Sequence, residues 1–150
     1  MAQSLSKILL HLVFSTKYRA NIIPQEIEKE LHAYLAASCR ANGSNAFRVG
    51  GTANHVHIAC TLPRTMTISK LLEEIKTSSS KWMKKQHIEC KNFSWQTGYG
   101  AFSLGESQLE TLIKYIDKQH EHHEKLNFKD EFRNFLQKYK MEYNEKYIWD

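Results

Sequence analysis

Proline and cysteine are scarce in this chain of 150 residues, which holds two of the first and three of the second. So few prolines, with six glycines in no fixed period, exclude a collagen-like, disordered or repeat architecture. Cys39, Cys60 and Cys90 are odd in number and widely spaced and form no C-x-x-C pair. A disulfide framework is therefore not expected, and a reducing cytoplasm is. Long apolar runs are missing too: ILLHLVF near the start is broken by His11 and followed by Lys17 and Arg19. It reads as a first strand and not as a signal peptide, and no segment approaches the length that spans a membrane.

What is present is an ordinary globular composition, 41% hydrophobic and 25% charged, with a net charge of +5 that favours a polyanionic partner. The length suits one domain over 1–150, with a core over about 5–125 and a helical tail over about 126–150. Residues 7–15 predict a strand that runs into a basic corner at Lys17 and Arg19. Pro24 opens a helix that Asn42-Gly43 should stop. Phe47-Arg48-Val49 then leads through Gly50-Gly51, read as a loop, into a strand over His55–Leu62. A second helix is expected over 67–86, with Lys70, Lys81 and Lys84 on its polar arc. Phe93–Leu104 suggests one more strand with its loop. A third helix follows, with Ser103 and Glu106 as its capping box, and a last amphipathic helix covers 129–143. The order β-α-β-β-α-β plus two helices predicts an α+β, ferredoxin-like (RRM-like) antiparallel sheet with helices on one face and C-terminal helices added.

Side chains alternate along a strand, so His55 and His57 in NHVHIAC share one face while Val56 and Ile58 take the other. Two imidazoles can ligate a metal, yet a divalent ion needs a further ligand that the neighbouring sequence does not supply. The pattern alone is more often that of ordinary polar or partly buried histidines. Tyr115 and Gln119 stand four apart, one helical turn, at the edge of the apolar stripe of Leu109, Leu112, Ile113 and Ile116. A phenol there can act as a nucleophile and a carboxamide oxygen as a metal ligand, or the two can simply pack and be solvated. The histidines of Gln119–Glu124 read as an exposed helix end. Phe128, Phe132, Phe135, Tyr139, Tyr143 and Tyr147 read as packing or dimer contacts, and Trp95 and Tyr99 as core or dimer packing, with stacking on unpaired bases as the alternative.

Together, HLVFSTKYR, NHVHI, WQTGYGAFS and YIDKQHEHH stand in an order that resembles the single-tyrosine HUH transposases of the insertion-sequence 200/605 type, across nearly the whole chain. The resemblance implies that His55, His57 and Gln119 hold a divalent metal, Mg2+ or Mn2+, and that Tyr115 is the nucleophile. It further implies cleavage and rejoining of single-stranded DNA through a 5′-phosphotyrosine, hairpins at the element's ends as partners, a homodimer, and no small-molecule cofactor. Lys17, Arg19, Lys70, Lys81 and Lys84 are then candidates for contact with the phosphate backbone. Two alternatives stand beside it: a ferredoxin-like nucleic-acid-binding module without catalysis, such as a domesticated or inactive element, and, fitting less well, a histidine phosphoesterase or nucleotide hydrolase.

Overall fold

In the segment LLHLVFS, alternation sends Leu10, Leu12 and Phe14 to one side of a strand and His11, Val13 and Ser15 to the other. A computed structural model, which describes residues 2–150, shows what each side meets. This strand, β1 (Leu9–Ser15), lies inside a four-stranded sheet with β2 (Ala46–Thr52), β3 (His55–Thr61) and β4 (Gly100–Leu104), in the order β2-β3-β1-β4. Every pairing is antiparallel. Strands β1 and β3 are the two inner ones, so both edges of their backbones are hydrogen-bonded and the side chains they carry are held in fixed register.

Helices α1 (Gln25–Ala41) and α2 (Ile68–Lys84) cover one face. Leu31, Leu35, Leu71, Leu72 and Ile75 pack there against Leu10, Leu12, Phe14, Val56 and Ile58. Removing each such aliphatic side chain from water stabilises the fold by roughly 1.5–3 kcal/mol. Thr67 caps α2 by accepting from the Lys70 N–H at 3.1 Å, while Asn42 and then Gly43, at φ +85°, end α1 where a left-handed residue was expected. The opposite face carries α3 (Leu109–Asp117), α4 (Gln119–His123) and α5 (Phe128–Lys138). There Phe128, Phe132 and Leu136 form a second, smaller core with Val13 and Phe102. The α+β ferredoxin-like class thus holds, with α1 and α2 on one face and the C-terminal helices closing the other. No helix among the described residues is long and apolar enough to cross a membrane.

Four local expectations differ from the structure. Gly50 and Gly51 lie within β2, not in a loop; a Cβ on Gly51 would stand 2.1 Å from the His55 carbonyl oxygen, so glycine is needed for backbone proximity. The Ser103–Glu106 capping box is replaced one residue pair later, where Gln108 Oε1 accepts the Gly105 N–H at 2.8 Å. Tyr115 and Gln119 fall on successive short helices, because the chain breaks at Lys118 (φ −102°, ψ 20°). The last helix spans Phe128–Lys138 and stops short of 143, as Lys140 takes φ 54°.

Candidate metal and nucleophile centre

Because β3 is an inner strand, His55 and His57 emerge from the sheet side by side, fully buried, with ring centroids 5.1 Å apart. His55 Nδ1 lies 2.8 Å from Asn54 Oδ1 and 3.0 Å from Thr52 Oγ, both from the β2–β3 turn region. Its Nε2 faces the Gln119 Oε1 at 2.8 Å. His57 is held by His11, whose Nε2 lies 2.8 Å from His57 Nδ1, and its own Nε2 lies 3.0 Å from Glu131 Oε1. In each ring, therefore, Nδ1 is occupied by an orienting neighbour and Nε2 points into a common space. That is the arrangement by which a histidine is prepared as a ligand.

Glu131, on α5, is 2% exposed and reaches across this space. Its Oε2 accepts hydrogen bonds from the Tyr115 hydroxyl and from Gln119 Nε2 at 3.3 Å, and it lies 3.2 Å from His123 Nε2. Burial alone would raise the Glu131 carboxyl, but the adjoining imidazoles of His123 and His57 hold it well below the ordinary carboxylate range. Burial lowers His55 to about 3, with His57 adding to the effect, so His55 is a neutral imidazole with one N–H. If Nδ1–H donates to Asn54, the Nε2 lone pair meets the Gln119 and Glu131 oxygens. The other tautomer, with Thr52 donating to Nδ1, gives Nε2–H to Gln119 instead.

The donor set fits a divalent ion. Adjacent donors on an octahedron with bonds of about 2.1 Å are about 3.0 Å apart. Here the His55 Nε2 to Gln119 Oε1 and His57 Nε2 to Glu131 Oε1 separations are 2.8 and 3.0 Å, and His55 Nε2 to Glu131 Oε1 is 3.6 Å. The donor atoms of His55, His57 and Glu131 all lie within 4.8 Å of one another, with Gln119 Oε1 beside His55. Two imidazoles with two oxygens suit a borderline-to-hard ion such as manganese.

Tyr115 stands beside this space, its ring 5.7 Å from that of His57 and stacked on His122 at 4.6 Å. Burial pushes its phenol up, and the charge of Glu131 adds to this, so in this arrangement it is a neutral hydroxyl. Outside it opens a cleft of about 570 Å³ between α3–α4 and α5, with Tyr115 and Glu131 at its floor and Lys118, Lys125 and Lys138 on its walls.

Sequence reasoning singled out His55, His57, Tyr115 and Gln119, and one chain brings all four together. It missed Glu131, His11 and His123. For Glu131 a signal existed, since a carboxylate sits inside the apolar stripe of Phe128, Phe132 and Phe135. His123, read as exposed, is only 12% exposed and turned toward Glu131. The basic candidates lie elsewhere. Lys70, Lys81 and Lys84 are on α2, across the sheet; Lys81 and Lys84 line a groove of about 490 Å³ with Tyr99, while Lys70 pairs with Glu74 at 3.1 Å. Arg19 donates to the Trp149 carbonyl at 2.9 Å, and Lys17 shares its turn.

Residues 4–119 match the family described as Transposase IS200 like. The chain is 22% identical over 116 residues to the ISDra2 transposase TnpA of Deinococcus radiodurans, covering 74% of this chain and 83% of that one. Among solved structures, a Deinococcus radiodurans protein described as a transposase aligns with a TM-score of 0.61 at 20% identity, over 79% of this chain and 98% of that one. A REP-associated tyrosine transposase bound to a REP hairpin aligns with a TM-score of 0.57 at 15% identity, over 82% of this chain and 74% of that one. At such identities the structural likeness bears on the fold.

Proposed function

Since this chain belongs to the IS200-like transposase family, and so to DNA transposition, we propose that it cleaves and rejoins single-stranded DNA at the ends of an insertion sequence, with Tyr115 as nucleophile. The Tyr115 oxygen attacks the scissile phosphorus and loses its proton. The phosphorus–oxygen bond to the preceding nucleotide breaks, and the 3′ oxygen leaves with the electron pair and takes a proton. A 5′-phosphotyrosine remains, which conserves the phosphodiester bond energy, so attack by a 3′-hydroxyl reseals the strand without ATP.

His55, His57 and Gln119 would hold the divalent ion, Mg2+ or Mn2+. When bound it neutralises phosphate charge and stabilises the departing 3′ oxygen. The sheet and the His11 and Asn54 contacts keep both imidazoles aimed, and α3 keeps the phenol beside them. The observation that carries this reading is the meeting, inside one chain, of the Tyr115 ring with His57 and of Gln119 Oε1 with His55 Nε2 at 2.8 Å. A homodimer, implied by the resemblance, is then not needed to supply the phenol. Lys118, Lys125 and Lys138 line the path to Tyr115, and Lys81 and Lys84 could follow a backbone along the other groove, with Lys17, Arg19 and Lys70 as further contacts. The hairpin held by the REP-associated relative supports a hairpin partner here. A cytoplasmic setting follows from a DNA substrate and accords with three free cysteines.

The test uses labelled single strands taken from the DNA flanking the gene, incubated with Mn2+ and run on a denaturing gel. Native protein should give a slow-migrating covalent adduct that EDTA prevents. Tyr115→Phe should give none while binding the same hairpin within about twofold. An adduct with Tyr115→Phe, or hairpin binding without an adduct in any divalent metal, would overturn the proposal, the second outcome leaving a binding module.

A further inference from the structure

We propose that Glu131 is itself a donor to the divalent ion of this centre and that its second oxygen positions the Tyr115 hydroxyl. This rests on the reading of the site given above. The two carboxylate oxygens face different groups. Oε1 stands 3.0 and 3.6 Å from the Nε2 atoms of His57 and His55, and Oε2 accepts the Tyr115 hydroxyl and lies 3.3 Å from Gln119 Nε2. One carboxylate thus touches every side chain assigned to the reaction.

Its surroundings call for a cation. Among the described residues, the ion-pair partners of Glu131 are His55, His57 and His123, with no lysine or arginine. A carboxylate 2% exposed has its charge balanced here by a protonated imidazole, which for His55 or His57 removes a donor, or by a metal, since Tyr115 and Gln119 offer it only neutral hydrogen bonds. His123 Nε2 is buried and makes no hydrogen bond of acceptable geometry, so its approach to Oε2 does not discharge the need. The position of the carboxylate is also built. Asn127 caps α5 by accepting from the Asp130 N–H at 2.9 Å, and Phe132 packs so closely on β4 that a Cβ on Gly100 would stand 2.7 Å from its ring. These contacts fix the turn of helix from which Glu131 projects, and the Phe128 ring lies 4.7 Å from that of His55.

The test is Mn2+ titration of the full chain without DNA, followed by the electron paramagnetic resonance of the free ion. Glu131→Gln should weaken binding by at least ~10-fold, as loss of a ligand or its immediate support does, with Tyr115→Phe unchanged within about twofold. His55→Ala should lose as much or more. Equal or tighter binding by Glu131→Gln, with His55→Ala impaired, overturns the carboxylate donor and leaves Glu131 as an occluding group. Unchanged binding in both variants sinks the metal site as a whole. A measurement on native protein avoids any folding defect of the variant: with glutamate 13C-labelled at its carboxylate, bound manganese should show hyperfine coupling to a carboxylate carbon, and its absence overturns the proposal.

Discussion

His11 Nε2 lies 2.8 Å from His57 Nδ1, and the two rings stack with centroids 5.1 Å apart across the β1–β3 pair. His11 is 3% exposed and lies against the Phe102 and Phe135 rings at 6.0 and 5.0 Å, so it cannot turn away to another partner. Its hydrogen bond orients His57, whose Nε2 faces Glu131.

If His57 holds a metal as proposed, replacing that support should therefore weaken metal binding without removing a donor. His11→Ala is expected to lower Mn2+ affinity by ~10–100-fold, the usual consequence of losing an orienting hydrogen bond to a ligand histidine. Covalent adduct formation should fall at low Mn2+ and recover largely at saturating Mn2+. A metal titration of adduct yield checks this, and a defect that persists at saturation would mean that His11 acts on something other than ligand orientation.

Gly50 governs the other half of the centre. A Cβ at this position would lie 2.6 Å from Ile116 Cγ2 and 2.9 Å from the Ile116 carbonyl oxygen, one residue from Tyr115. The backbone contact cannot be relieved by a rotamer change, so α3 must move off β2. Gly50→Ala should destabilise by ~1–3 kcal/mol, the range for overpacking a close contact. It should also reduce adduct formation more than hairpin binding. Urea unfolding with the gel assay measures both, and native stability in the variant would show that α3 is not seated on the sheet as described.

The histidine pair was legible because strand alternation is local, and so was the Tyr115–Gln119 spacing, which survives the break at Lys118. Gly50 misled: a glycine pair beside a strand signal reads as a turn, since the reason for its small side chain, the approach of Ile116, lies 66 positions away in the sequence. Glu131 was hidden for the same reason. Its place in an apolar stripe says that it is buried, but which groups it meets depends on how α5 crosses the sheet, 74 positions from His57. The pairing of His11 with His57 likewise requires the β1–β3 register, which no local pattern contains.

Acid should loosen this protein by a route that begins in α1. His32 Nε2 is buried without a hydrogen-bond partner, and burial, with the nearby charge of His120, lowers its pKa from 6.5 to about 4. His120 Nε2 itself lies 2.7 Å from Glu28 Oε1, a contact that gives the His32 ring no acceptor. Between pH 6.5 and 4 the unfolded chain then binds a proton at this position that the folded chain does not. Stability from His32 is complete above pH 6.5 and is lost as pH falls toward 4, at no more than about 1.4 kcal/mol per pH unit. His55, lowered to about 3, and His11, also lowered by burial, act with the same sign. His32→Leu removes one of these groups while keeping the volume apolar. Urea unfolding at a series of pH values should show the variant gaining on the native protein as pH falls from 6.5 to 4, with a shallower acid limb. Parallel curves would mean that His32 is protonated in the folded state and finds a partner that this arrangement lacks.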